Sequence, residues 1–169
     1  MDRQQIGTKL VMKALGLDLS MLSFEDRLIL QKTVYLAQGK GVGLGYQFHW
    51  YLRGPYSRAL SSDGFSIVSE TSSGEDESAG WQLSSPTQKK LEELRELIFS
   101  PEPEALDRRL ELLASVHFLV SRKQVSRDVD KLKRTLAKFE KHYSEDQVGL
   151  ALRDLERHGL LKASRKNCS

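Results

Sequence analysis

Apolar positions recur at helical spacing through most of the chain and fall into strict alternation over only one convincing stretch. Ile6 to Leu15 form a short periodic helix that Gly16 can close, because glycine readily takes the left-handed conformation found just past helix ends. A second helix is predicted from Phe24 to Gln38. Phe24, Leu28, Gln31 and Tyr35 share one stripe, and Leu30, Val34 and Ala37 another, so this helix is apolar around most of its circumference and belongs at the centre. Gly39, Gly41, Gly43 and Gly45 stop it. From Tyr46 to Leu52 the period becomes two, with Tyr46, Phe48, Trp50 and Leu52 on one side and Gln47, His49 and Tyr51 on the other, the pattern of a half-buried strand. Gly54 and Pro55 follow. Pro55 suits the first position of a new helix, on which Tyr56, Leu60, Asp63 and Ile67 share helical spacing. Trp81-Gln82-Leu83 reads as a second short strand that would make a small hairpin with the first.

The remainder is helical. Ser85-Pro86-Thr87-Gln88 has the form of a capping box ahead of Leu91, Leu94 and Ile98, and Pro101 and Pro103 break that helix. Leu106, Leu110, Leu113 and Val120 then share a face, with Leu112, Val116 and Leu119 beside it. Val129, Leu132, Leu136 and Phe139 mark another helix, with Lys131, Arg134, Lys138 and Lys141 expected mostly outward. Ser144 to Gln147 is a second capping box, opening a helix with Val148, Leu152 and Leu155 that Gly159 closes and Leu160 packs beneath. The expected fold class is mainly α with one small β-hairpin. It is laid out as a single domain over 1–169: a motif-bearing core at 24–70, a flexible acidic loop at 71–80 and basic helices at 122–169.

Composition narrows the classes. With 169 residues, 39% hydrophobic and 29% charged, the chain sits in the soluble globular range, away from collagen-like, wholly disordered and membrane-spanning sequences. No apolar run approaches the roughly 20 residues of a membrane helix, and Met1-Asp2-Arg3-Gln4-Gln5 leads into nothing like a secretory signal, so a cytoplasmic location is expected. The one cysteine, Cys168, supports neither a disulfide framework nor a CxxC metal site. Net charge is only +3, but residues 122–169 hold 13 Lys/Arg against 7 Asp/Glu. That asymmetry fits a solvated helix face, or a surface for an acidic partner or nucleic acid.

Catalytic patterns are missing. His49, His117, His142 and His158 lack metal-ligand spacing, no GxSxG elbow occurs, and the GxGxG run follows a helix where a phosphate loop would lie between a strand and a helix. The pairs Glu92/Glu93 and Asp128/Asp130 lie on polar faces. His117, on an apolar stripe, is expected to be a hydrogen-bonded core histidine. No metal, no cofactor and no enzymatic activity are expected.

Most informative are Leu30-Gln31-Lys32-Thr33-Val34-Tyr35-Leu36 and Trp50-Tyr51-Leu52-Arg53-Gly54-Pro55-Tyr56-Ser57. A Gln-Lys step inside a buried helix is costly unless its polar groups find partners. Gln31 is therefore expected to bond main-chain groups around Gly54-Pro55, and Asp63 to pair with Arg53 or Lys32. The LQKxxYL helix followed by W-Y-x-x-G-P-Y-S resembles the Panacea domain family, and more closely its YwgA-like branch, over about Phe24 to Asp63, with a weaker continuation from Leu106 to Leu161. The resemblance implies a mostly helical domain with a small β element and a non-enzymatic role, since members include antitoxins that neutralise a neighbouring toxin, one type by delivering it to a protease. A protein partner is thus expected, met by Trp50, Tyr51, Arg53, Tyr56, Ser57 and Arg58 or by the strand's free edge, on a motif built from Gln31, Lys32, Tyr35, Gly54, Pro55 and Asp63. A second resemblance competes. Gln147 to Leu161 looks like the ALxxLexxGLL helix of winged-helix regulators, which would set Arg153, Arg157, Lys162, Arg165 and Lys166 against DNA phosphates.

Overall fold

The computed structural model describes residues 1–162. Seven helices and one hairpin follow in the order α1 (Arg3–Ala14), α2 (Phe24–Gly39), β1 (His49–Tyr51), β2 (Gly54–Tyr56), α3 (Arg58–Ser72), α4 (Ser85–Phe99), α5 (Leu106–Ser121), α6 (Val129–Lys138) and α7 (Glu145–Arg157). The fold is mainly α with one small antiparallel sheet. No helix among the described residues is long and apolar enough to cross a membrane.

Side chains satisfy the free N–H groups at most helix starts. Full capping boxes form at Asp2/Gln5, Ser23/Asp26 and Ser144/Gln147. At α4 the cap falls one residue earlier than expected, on Ser84, whose hydroxyl accepts from the Thr87 N–H at 3.4 Å and leaves Pro86 in the first turn, where no N–H is needed. The α7 end is closed at Gly159 (φ +77°), and Leu160 turns back to donate its N–H to the Leu155 carbonyl at 3.0 Å.

Two helices form the centre. Leu30 to Ala37 of α2 and Leu110 to Leu119 of α5 are buried without interruption, and the two helices pack on each other. Around them, α1, α3 and α4 contact α2, while α4, α6 and α7 contact α5. One contiguous apolar core runs from Val11 to Leu161. Each fully buried Leu or Val in it, such as Val34, Leu36, Leu113 or Val116, contributes about 1.5–3 kcal/mol over an exposed position.

The β element departs from expectation. Trp81 to Leu83 is not a strand, and the partner of β1 is instead Gly54–Tyr56, in the register His49↔Tyr56, Trp50↔Pro55 and Tyr51↔Gly54. Leu52 and Arg53 form the connection, so the alternation that buries Tyr46 and Phe48 ends there and leaves Leu52 72% exposed. Pro55 accordingly lies in an edge strand, where a missing N–H is tolerated, and α3 starts three residues later with Ser57 as its cap. The acidic stretch begins as the last residues of α3 and is tied back to α1: Lys9 meets Asp76 at 2.7 Å, and the Met1 amino group meets Glu77 at 2.5 Å.

Candidate functional site

The buried Gln-Lys step of α2 is satisfied by the segment around the hairpin. Gln31 bonds one residue in both directions, its amide donating to the Ser57 carbonyl at 2.8 Å and its carbonyl oxygen accepting the Ser57 N–H at 2.8 Å. The contact lies two residues past the expected Gly54-Pro55 position. Two turns along the same face, Gln38 does the same for Tyr46, with bonds of 2.9 and 2.8 Å. Lys32 completes the lacing by donating from Nζ to the Pro55 carbonyl at 2.7 Å. One helix thus fixes Tyr46 on the approach to the hairpin, Ser57 directly after it and its proline. The Ser57 carbonyl also accepts the Ser61 N–H at 3.2 Å, so Gln31 gives it a second bond and gives the buried Ser57 N–H its acceptor.

The turn fits only glycine. Gly54 has φ +88°, and a Cβ there would stand 2.6 Å from Ser115 Oγ on α5. Ser115 Oγ is itself buried without a hydrogen-bond partner among the described residues. Beneath the turn lies a charged cluster. Glu111 is buried between Lys141 at 2.5 Å and Arg53 at 3.6 Å. Lys32, 2% exposed, has its pKa pushed down to about 7 by burial first and by the Lys141 charge second, with Glu111 opposing. Burial also lowers Lys141, against the pull of Glu111.

Lys141 was expected outward and is 3% exposed. Helix α6 ends at Lys138, and Glu140 takes φ +58°, so Lys141 leaves the helical phase and turns inward. Asp63 also departs from expectation. It pairs with neither Arg53 nor Lys32, but accepts from Gln5 Nε2 and from the Tyr46 hydroxyl, each at 2.9 Å, which ties α3 to α1 and to the approach to β1. Tyr35 and His117 form a closed chain: Tyr35 Oη lies 2.7 Å from Nδ1, and Nε2 lies 3.1 Å from the Leu160 carbonyl. That carbonyl can only accept, and burial lowers the His117 pKa, so a neutral ring carries its proton on Nε2 and Tyr35 donates to Nδ1. His117 is a hydrogen-bonded core residue.

The six expected partner-binding residues divide between the faces of the hairpin. Tyr51, Arg53 and Tyr56 line a groove of about 470 Å³ between the hairpin, α2 and α3, with Gln31 and Lys32 also in its lining. Trp50 points the other way, half-buried against Phe118 and Phe139 at centroid distances of 5.6 and 5.0 Å. Ser57 is buried and engaged as the cap of α3 and the partner of Gln31, so it offers nothing to a partner. Arg58 is exposed at the start of α3. Sequence reasoning missed Phe24, Arg27 and Phe65 as groove residues. Phe24 was placed on a core stripe, yet it is exposed beneath the Arg53 guanidinium, 5.4 Å from its ring centre.

Among the alternative nucleic-acid residues, Arg153 and Arg157 are exposed on α7 and Lys162 is exposed beyond it, while Arg165 and Lys166 lie outside the described residues. Glu145 and Asp146 occupy the first turn of α7. The described residues hold no group of His, Cys, Asp and Glu suited to a metal. Comparison with known proteins returns no match: no family model, no curated protein and no solved structure matches the chain.

Proposed function

We infer that the protein is a non-enzymatic interaction module of the antitoxin or adaptor type, and that it engages a partner protein through the groove beside the hairpin. One observation carries this reading. Of the eight large apolar side chains left exposed among the described residues, four, Phe24, Tyr51, Leu52 and Phe65, line this one groove. Scattered apolar residues need no explanation, but a cluster rimmed by arginines is the composition of a recognition surface. The rigidity of the platform supports it further, because a hairpin laced to α2 loses little conformational freedom on binding. The groove's Gln31 and Lys32 are engaged with the chain's own backbone, which suits support of a surface better than proton transfer.

The winged-helix alternative has less in its favour. A recognition helix leads with its N-terminal residues, and Glu145 and Asp146 would put two carboxylates there, against phosphate.

The test is site-specific photocrosslinking in the source cells, with a photoreactive side chain at Phe65 in the groove or at Lys89 on α4. A discrete partner captured from position 65, absent from position 89 and lost with Arg53→Glu, is the expected result. Identical products from both positions, or none from position 65, would overturn the reading.

A further inference from the structure

We propose that the groove takes an acidic, apolar peptide segment of its partner, one bulky apolar side chain entering between Phe24, Leu28 and Phe65 while neighbouring carboxylates meet Arg27 and Arg53. This rests on the interaction reading above and specifies the chemistry of the occupant. The charge of the site selects it. The lining includes Arg27, Lys32 and Arg53 and no carboxylate. Of the nearby acids, Asp26 is held by Ser20 at 2.6 Å and by the α2 cap, while Glu111 is closed off by Lys141.

Both arginines keep capacity to bind. Arg53 is 60% exposed, and its tie to Glu111 at 3.6 Å is loose beside the 2.5 Å Lys141 contact, so a group with five donors keeps capacity for a second carboxylate. Arg27 donates to the Met21 carbonyl at 3.2 Å, one bond from a group with five donors. A guanidinium beside an apolar wall favours a carboxylate carried on an apolar chain, because the pair is partly desolvated when the chain seats. Lys32, in the floor of the groove, is spent on the Pro55 carbonyl, so the two arginines carry the charge of the site.

Other occupants fit less well. A small carboxylic acid could enter a space of about 470 Å³ but would leave Leu52, at the exposed tip of the hairpin, uncovered. A single-stranded nucleic acid needs free aromatic faces for stacking. Here Tyr51 and Tyr56 lie against each other at 5.5 Å, and Arg53 covers Phe24. The chain's own acidic run ending at Trp81 has the right composition for a second copy, yet its Asp76 and Glu77 are committed to Lys9 and the Met1 amino group.

The experiment probes the full folded chain against an array of decapeptides with a central Phe-Leu pair flanked by Asp/Glu, by Ser or by Lys. Expected is binding to the acidic set alone, weakening as salt rises from about 50 to 500 mM because exposed charges are screened. The Arg27→Ala/Arg53→Ala variant should bind about tenfold or more weakly. Phe65→Asp, at an exposed position, should abolish binding while leaving the circular dichroism spectrum unchanged. Equal binding of the Ser or Lys sets, or none of the acidic set, overturns the inference. So does equal competition by decanoate or oligouridine, or self-association through the groove in sedimentation equilibrium. Capture of a partner at Phe65 without acidic-peptide binding would sink this inference and spare the interaction reading; failure of both would sink both.

Discussion

Replacing Lys32 by methionine should stabilise the protein near neutral pH and destabilise it in alkali. In the folded chain Lys32 titrates at about 7, against an ordinary lysine value of 10.5. Below pH 7 the side chain is protonated in both states, and folding then carries the full penalty of burying a charge. Between pH 7 and 10.5 the unfolded chain holds a proton that the folded one lacks, so unfolding free energy rises with pH, by up to about 1.4 kcal/mol per pH unit. Integrated over that window, the effect is roughly 5 kcal/mol. Methionine keeps most of the buried volume and removes the titration, but it strands the Pro55 carbonyl that Lys32 now serves, a loss of about 1–3 kcal/mol. The net expectation is a variant more stable by about 2–3 kcal/mol at pH 6.5 and less stable by about 1 kcal/mol near pH 10. Urea denaturation followed by circular dichroism at half-unit steps from pH 6 to 10 would trace both curves. Lys141 is also lowered by burial, but it is present in both proteins and cancels to first order in the difference. Parallel curves would refute the reasoning, because they would mean that Lys32 keeps an ordinary affinity for its proton inside the fold.

Gln31→Leu leaves the Ser57 N–H buried and unpaired, while its carbonyl keeps the Ser61 N–H at 3.2 Å, and should cost about 1–3 kcal/mol in urea titrations; a loss under about 0.5 kcal/mol would show that the Ser57 N–H finds water instead. Gly54→Ala meets both a positive φ and Ser115 Oγ, and should lower stability by about 2 kcal/mol or more, with Gly54→Ala/Ser115→Ala recovering the steric part in a double-mutant cycle. Glu111→Gln takes the counter-charge from buried Lys141 and should cost about 3–5 kcal/mol at pH 7, whereas Glu111→Leu/Lys141→Met should fall near the parent; equal loss in both would show that the pair contributes more than its own desolvation.

The helices were legible because an apolar repeat is local in sequence, as were the Ser144–Gln147 box and the glycine after the last turn of α7; the box expected at Ser85 is a cap on Ser84 instead, and those at Asp2 and Ser23 went unread. The hairpin was half legible. The alternation from Tyr46 announced β1, but nothing local told that Gly54, at φ +88°, would double the chain back so that Pro55 pairs with Trp50 rather than opening α3. Lys141 shows the limit most clearly. Extending the period of α6 through Phe139 puts position 141 among outward lysines, yet one left-handed residue, Glu140, resets the phase and sends that lysine to Glu111, thirty positions away. Of the site, the sequence pointed to Gln31, Lys32, Arg53 and the aromatic hairpin, because a polar step in an apolar helix and bulky residues around a Gly-Pro turn both ask for partners. It did not point to Gln38, Arg27 or Phe65, since a glutamine near a helix end, an arginine in a first turn and one phenylalanine carry no local conflict to resolve. What selects them is the position of the hairpin. Once Gln31 and Gln38 hold Ser57 and Tyr46 to the same face of α2, the hairpin has to overhang the first turns of that helix, and Phe24 and Arg27 become the wall of a groove rather than an ordinary helix start.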